Sequence, residues 1–317
     1  MVITYKFMAI KHLIYSQDLK KEDYNEILRR FNKFVKEGIP NDLCRGKVVA
    51  TLFFQPSTRT MNLFQASIIK MGGGWIGATD KNVLSMGKGE TLEETIREYS
   101  CFADLIALRH EDDDSSERSA PYSYVPLLNC GSGSREHALA GSWVLCSMAH
   151  YLKRPLNNLK IGIYGTPEIN RVTKAMVPIF GLYGMEIVID DLGHFPLPKE
   201  VEKEALKNGA KGIRYDKLDN FISKVDILFL TRGLQKGILS PDKFPKEREE
   251  MVLKKYRPIN KNDMKKLRKD AILYMLKPRI FEVEKDVDDD PRAMYSKQEP
   301  YLALGAAVIT YYLNIKI

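Results

Sequence analysis

The sequence predicts an α/β protein of two domains, each a parallel sheet flanked by helices, and three observations carry that expectation. Strand-like runs alternate with helix-like ones for most of the length, the rhythm of parallel strands joined by helical crossovers. The chain has 317 residues, which at roughly 100–200 residues per domain suggests about two cores. Its composition, 44% hydrophobic and 28% charged, is that of a globular chain and argues against disorder, collagen and coiled coil as whole-chain answers.

The elements follow in order. Lys47 to Phe54 is short, β-branched and aromatic, and Pro56 with a polar run leads from it into a helical pattern. In that helix Met61, Phe64, Ile68 and Met71 recur at spacings of three and four, and Gly72 to Gly74 stop it. Further strands are expected at Asp104 to Leu108, Val125 to Asn129, Lys160 to Tyr164, Glu186 to Asp190, Asp226 to Leu230 and Ala271 to Met275. Pro155 and two asparagines in Tyr151 to Leu159 place a boundary there, giving domains 1–150 and 151–299. Lys199 to Lys207 reads as a solvated helix, and Gly233 to Pro258 as a loop with one helix.

The formal charge is +8, which alone fits nucleic acid, an anionic membrane or small anionic substrates. No aromatic-interleaved basic stripe supports nucleic acid, and no apolar run approaches the roughly 18 residues of a spanning helix. The N-terminal stretch, broken by Lys6 and Lys11, lacks a cleavage site and does not read as a signal peptide. Cys44, Cys101, Cys130 and Cys146 lie far apart in apolar contexts. They read as reduced, core-filling thiols of a cytoplasmic protein, without a zinc site or disulfide framework.

The most informative stretch is Phe53-Phe54-Gln55-Pro56-Ser57-Thr58-Arg59-Thr60. Where a strand ends and a helix begins, free backbone N–H groups, the positive end of the helix dipole and Arg59 converge on one point, which suits an anion. The plainer alternative is that Ser57 or Thr58 merely caps the helix. A cap needs one hydroxyl, however, and does not account for Arg59 and Thr60 beside it.

These residues resemble the phosphate-binding P-S-T-R-T signature of the aspartate and ornithine carbamoyltransferases, and further motifs match in the same order. Ser85 to Thr91 is similar to the S-x-x-K-G-E-T loop of the aspartate enzymes, Leu108-Arg109-His110 to the family's strand-end arginine, and Asn129 to His137 to its N-x-G-x-G…E-H stretch. Arg171, Thr231-Arg232 with Gln235, Pro278-Arg279 and Asp286 to Tyr295 match as well. The ornithine enzymes carry a late S-M-G and an H-C-L-P motif; here Ser85-Met86-Gly87 lies early, inside the lysine loop, and H-C-L-P is absent, so aspartate is the favoured acceptor.

The resemblance implies a carbamoyl phosphate-binding first domain, onto which a helix at about 300–317 packs back, and an aspartate-binding second domain. It implies that Ser57, Thr58, Arg59 and Thr60 cradle the phosphate, and that Thr60, Arg109 and His137 donate to the carbonyl oxygen. Arg171, Arg232 and Gln235 would hold the carboxylates of aspartate. Ser85 and Lys88 would reach a neighbouring subunit's site, Lys88 touching both substrates, so a homotrimer is implied, with a regulatory or paralogous chain left open. No cofactor or metal is expected. Alone, Lys88 would read as a solvated lysine and His137 as a capping or core histidine.

Departures fall inside the expected site. Ala140 stands where the family's H-P-T-Q has glutamine, Gln55 where it has glutamate, Leu63 where serine is usual and Leu304 where arginine is common. Met275-Leu276-Lys277-Pro278 replaces H-P-L-P, a loop that the family uses through its backbone carbonyls, and between Arg232 and Gln235 there is one residue more than the pattern has. Gln298 to Ala307 is shorter than its equivalent. These changes leave two alternatives beside an aspartate carbamoyltransferase: an impaired homologue acting as a binding or regulatory subunit, and an enzyme with another amine acceptor.

Overall fold

The computed structural model describes residues 10–234 and 244–317. They form two compact units, Ser134–Glu299 being one and the flanking segments through Gly133 and from Pro300 the other.

The first unit runs α1 (Lys21–Glu37), β1 (Val48–Phe53), α2 (Thr58–Lys70), β2 (Gly74–Ala78), α3 (Leu92–Phe102), β3 (Leu105–His110), α4 (Ser115–Ser119) and β4 (Leu127–Ser132). The second runs α5 (Ala138–Leu152), β5 (Lys160–Tyr164), α6 (Arg171–Leu182), β6 (Glu186–Asp190), α7 (Lys199–Lys207), β7 (Gly212–Tyr215), α8 (Leu218–Phe221), β8 (Ile227–Leu230), α9 (Lys246–Lys255), α10 (Lys261–Lys266) and β9 (Ile272–Tyr274). The chain then returns to the first unit as α11 (Tyr301–Tyr312), which packs on α1 and α2.

Both sheets are wholly parallel, so the expected fold class is the one observed. The first has the order β2-β1-β3-β4 and the second β7-β6-β5-β8-β9. Each therefore starts in the middle, grows outward on one side and returns to grow on the other. That reversal leaves a crevice beyond the carboxyl ends of β1 and β3 in the first sheet and of β5 and β8 in the second, where open α/β sheets bind ligands. The β-branched and leucine-rich central strands are buried over almost their whole length, as sheets covered on both faces require. No helix among the described residues is long and apolar enough to cross a membrane.

The structure adds two strands absent from the sequence reading. Gly74–Ala78 is glycine-rich and becomes β2 only through its pairing with β1, and Gly212–Tyr215 is a short edge strand beside β6. The break between units also differs from the expected position near residue 150. Helix α5 groups with the second unit because it lies against α6, and Gly141 permits the approach: a Cβ there would sit 2.3 Å from Ile179 Cδ1. Of the cysteines, Cys44, Cys130 and Cys146 are buried, but Cys101 is exposed on α3, contrary to a core-filling role.

Candidate active site

The Ser57–Thr60 turn lies at the crevice of the first sheet. Ser57 is the N-cap residue of α2, with extended backbone, yet its hydroxyl makes no capping hydrogen bond. The plainer reading of this serine as a cap is thereby removed. By contrast, Asn170 caps α6 fully, its Oδ1 accepting from the amides of Val172 and Thr173 at 3.0 Å each. A helix whose first amides lack a side-chain cap retains donors for an external anion. A cavity of about 410 Å³ opens there, lined by Phe53 to Thr58, Met61, Asn62 and Thr79. Thr60 is buried in the first turn of α2, and Arg59 is half-buried.

Arg109 reaches the same end of the sheet from β3. It pairs in register with Phe53 of β1, its carbonyl accepts from the Phe54 amide at 2.9 Å, and its Nη1 donates to the Cys130 carbonyl at 3.3 Å. The residue is 9% exposed. Topology thus brings Arg109 and the Ser57–Thr60 turn to adjacent strand ends although they are far apart in sequence.

The neighbouring His110 is buried and keeps its pKa below the usual imidazole value, chiefly through loss of solvent. Its Nδ1 accepts the Asp112 amide at 3.1 Å. With Glu111 and Asp112 it forms the one group among the described residues close enough to hold a metal ion, with ligand atoms within 4.8 Å. Those atoms are already engaged: Glu111 pairs with Lys81, and Asp112 with Arg118 at 2.9 Å. The arrangement is an ion-pair network, not a vacant coordination sphere.

The S-x-x-K-G-E-T loop separates into two parts. Glu90 accepts the Thr95 hydroxyl at 2.6 Å, and Thr91 forms a reciprocal capping box with Glu94 that starts α3. Ser85 and Lys88, in a short 3-10 turn, are exposed. In the N-x-G stretch, Asn129 likewise acts on its own backbone, its Oδ1 accepting from the Gly131 amide at 2.8 Å.

His137, Arg171 and Arg232 belong to the second unit. His137 is the N-cap residue of α5 and is 6% exposed, and Arg171 opens α6 at 4%. Arg232 follows β8 at the second crevice, with Nη2 donating to the Leu234 carbonyl at 3.2 Å. Its backbone is held by Thr166, whose hydroxyl donates to the Arg232 carbonyl at 2.9 Å while its amide donates to Thr231 Oγ1 at 2.6 Å. Gln235 lies outside the described residues.

Most of the departures from the family pattern are buried. Leu63 and Leu304 are both buried, at 2% and 3% exposed, and Ala140 is fully buried in the first turn of α5. The Lys277–Pro278 bond is cis. Arg279 pairs with Asp288, whose Oδ1 also accepts the Tyr295 hydroxyl at 2.7 Å. The Pro278-Arg279 and Asp286 to Tyr295 motifs therefore hold each other in place.

Residues 11–140 match the family model of the aspartate/ornithine carbamoyltransferase carbamoyl-P binding domain, and residues 157–309 that of the Asp/Orn binding domain. The aspartate carbamoyltransferase catalytic subunit of Clostridium botulinum is 33% identical over 294 residues, covering 92% of this chain and 94% of that one. That of Clostridium kluyveri is 30% identical over 296 residues, with the same coverages of 92% and 94%. Among solved structures, the catalytic subunit of M. jannaschii aspartate transcarbamoylase is 31% identical with a TM-score of 0.81, covering 96% of this chain and 98% of that one. The Trypanosoma cruzi aspartate transcarbamoylase in complex with carbamoyl phosphate shares the fold, with a TM-score of 0.83 at 24% identity over 95% of each chain. With both halves matched by the family's two domain models and relatives at 30% identity and above, the chain belongs to the aspartate/ornithine carbamoyltransferase family.

Proposed function

We propose that the protein is an aspartate carbamoyltransferase catalytic chain, transferring the carbamoyl group of carbamoyl phosphate to L-aspartate to give N-carbamoyl-L-aspartate and phosphate for pyrimidine synthesis in the cytoplasm. One observation carries this reading: the Ser57–Thr60 turn opens on a cavity, without a capping bond from Ser57, beside the strand end that presents Arg109. The names of its relatives, at 30% identity and above, favour aspartate as acceptor.

Each residue has a role in the chemistry. The amine nitrogen bonds to the carbonyl carbon, negative charge gathers on the former carbonyl oxygen, and the bond to the phosphate oxygen then breaks as the amine's proton leaves. Ser57, Thr58, Arg59 and Thr60 hold the phosphate and take up the charge of the leaving group. Thr60, Arg109 and His137 donate to the carbonyl oxygen, where stabilisation of developing charge supplies most of the rate. Arg171, Arg232 and Gln235 hold the aspartate carboxylates, for which the guanidinium fork is suited. Ser85 and Lys88 complete the site of a neighbouring subunit in a homotrimer, and their exposure leaves them available for that contact.

Calorimetry with N-(phosphonacetyl)-L-aspartate, which joins both substrate ends in one molecule, tests the reading. The wild type is expected to bind it far more tightly than phosphate or aspartate alone, and Arg59→Ala to lose that gain. Absence of binding contradicts the proposal. Tight binding without turnover favours the impaired homologue, and faster turnover of another amine reassigns the acceptor.

A further inference from the structure

Arg232 stands just beyond β8, and the peptide groups on both sides of its Cα are pinned by side chains from elsewhere in the second unit. Before it, the Thr231 carbonyl accepts the Tyr256 hydroxyl at 3.0 Å. After it, the Arg232 carbonyl accepts the Thr166 hydroxyl at 2.9 Å, and the N–H of the same peptide group, on Gly233, donates to Oε1 of Glu282 at 3.0 Å. Glu282 is fully buried. Its Oε2 accepts the amides of Ile280 at 2.7 Å and Phe281 at 3.1 Å, and its backbone carbonyl accepts the Ile259 amide at 3.0 Å. The Phe281 ring lies close against Gly233, where a Cβ would sit 2.5 Å from Phe281 Cζ.

A carboxylate removed from water is costly unless donors meet its oxygens. Here backbone N–H groups meet both of them, in charge-assisted hydrogen bonds. An amide side chain has one accepting oxygen and could not serve both sides. A planar peptide group held at its C=O and at its N–H cannot turn. With the preceding group held as well, the backbone angles of Arg232 are set, and the direction of its side chain with them. We propose that Glu282 is a positioning residue for the acceptor: its carboxylate ties the peptide group after Arg232 to the turn after Arg279, and so aims the Arg232 guanidinium at a carboxylate of the amino-acid substrate. Arg279 is itself paired with Asp288, which anchors that turn. This role rests on the carbamoyl-transfer reading of the site.

The test compares wild type with Glu282→Gln, Thr166→Val, Arg232→Ala and the double variant Glu282→Gln/Arg232→Ala, by hydrogen exchange at the Gly233 amide and by kcat and KM for each substrate. In Glu282→Gln the single oxygen is expected to stay with the two donors of Ile280 and Phe281, turning the new NH2 group toward the Gly233 N–H. Gly233 then exchanges faster, and KM for aspartate rises about tenfold, the scale of one weakened charge-assisted contact, while KM for carbamoyl phosphate stays within about twofold. Thr166→Val, which releases the other end of the same peptide group, shifts KM for aspartate in the same direction. In the double variant KM for aspartate equals that of Arg232→Ala, because Glu282 acts through Arg232. Unchanged exchange at Gly233 in Glu282→Gln overturns the tie. A rise in KM for aspartate by the same factor with or without Arg232 overturns the positioning role, as does an equal rise for both substrates; either marks a purely structural residue. If Glu282→Gln does not fold, Glu282→Asp, with both oxygens on a stem one methylene shorter, takes its place in the same comparison. Absence of turnover in the wild type overturns the proposed function and the acceptor role with it, and is told apart because exchange at Gly233 reads the tie by itself.

Discussion

At the scale of single residues, the backbone of the candidate site is held in place by neighbouring side chains. Gly165 shows this most sharply. It takes φ of +126°, and a Cβ there would lie 2.3 Å from Thr231 Oγ1 and 2.6 Å from the Tyr256 ring. Thr231 is the residue that fixes Thr166, and through it the backbone of Arg232. Strained backbone and overpacking together predict that Gly165→Ala costs about 2–4 kcal/mol, which a thermal or urea melt reads directly. The side chains of the Ser57–Thr60 turn were legible in the sequence because turn and capping chemistry is local. The placement of Arg109 beside that turn is not local: it follows from the parallel pairing of β1 with β3, which sets Phe53 against Arg109.

At the scale of elements, the first unit is fastened by its two terminal helices. Arg30 of α1 is 9% exposed and donates to the Ile315 carbonyl beyond α11 at 2.8 Å, while Asp23 of α1 accepts the Tyr311 hydroxyl of α11 at 2.5 Å. Glu26 orients this end of α1 by accepting from Arg29 and Arg30, whose guanidiniums, Arg29 first, hold its carboxyl down to about 2 from an ordinary 4.5. A folded pKa below the unfolded one contributes stability that is present above the unfolded value and lost as pH falls. Wild type is therefore expected to lose, between about pH 4.5 and 2, a stability advantage over Glu26→Gln that it holds at neutral pH. Thermal melts of the two proteins at pH 7 and 3 check this, and an equal gap at both contradicts it.

Legibility at this scale follows who supplies the stabilisation. The buried runs of β1, β3, β5, β6 and β8 announce themselves by composition, and Lys199–Lys207 is the helix α7 with the expected ends. Strands β2 and β7 do not, because Gly-Trp-Ile-Gly-Ala and Gly-Ile-Arg-Tyr acquire strand form from their partners more than from their own propensities. Helix α5 was recognisable as a long helical stretch, but its allegiance to the second unit is decided by α6 packing against Gly141.

At the scale of the whole molecule, the +8 charge acquires a definite reading. Under the proposed function the charges that matter are Arg59, Lys88, Arg109, Arg171 and Arg232, and the Lys-rich helix α7, which buries only Val201 and Ala205, remains a solvated surface. If Lys88 serves the neighbouring subunit of a trimer, two defective variants must complement each other. Arg59→Ala and Lys88→Ala, each inactive alone, are expected after dissociation and random reassembly in equal amounts to regain about a quarter of wild-type activity, since one ordered pairing in four unites an intact Arg59 with an intact Lys88. No recovery contradicts a shared site.

The most direct test of the central claim is turnover. Incubated with carbamoyl phosphate and L-aspartate, the wild-type protein is predicted to release N-carbamoyl-L-aspartate and phosphate in equal amounts, with Arg59→Ala slower by about 10²–10³, the loss expected when a main charge-stabilising donor is removed. Carbamoylaspartate formation by the wild type no greater than that of Arg59→Ala would contradict the account.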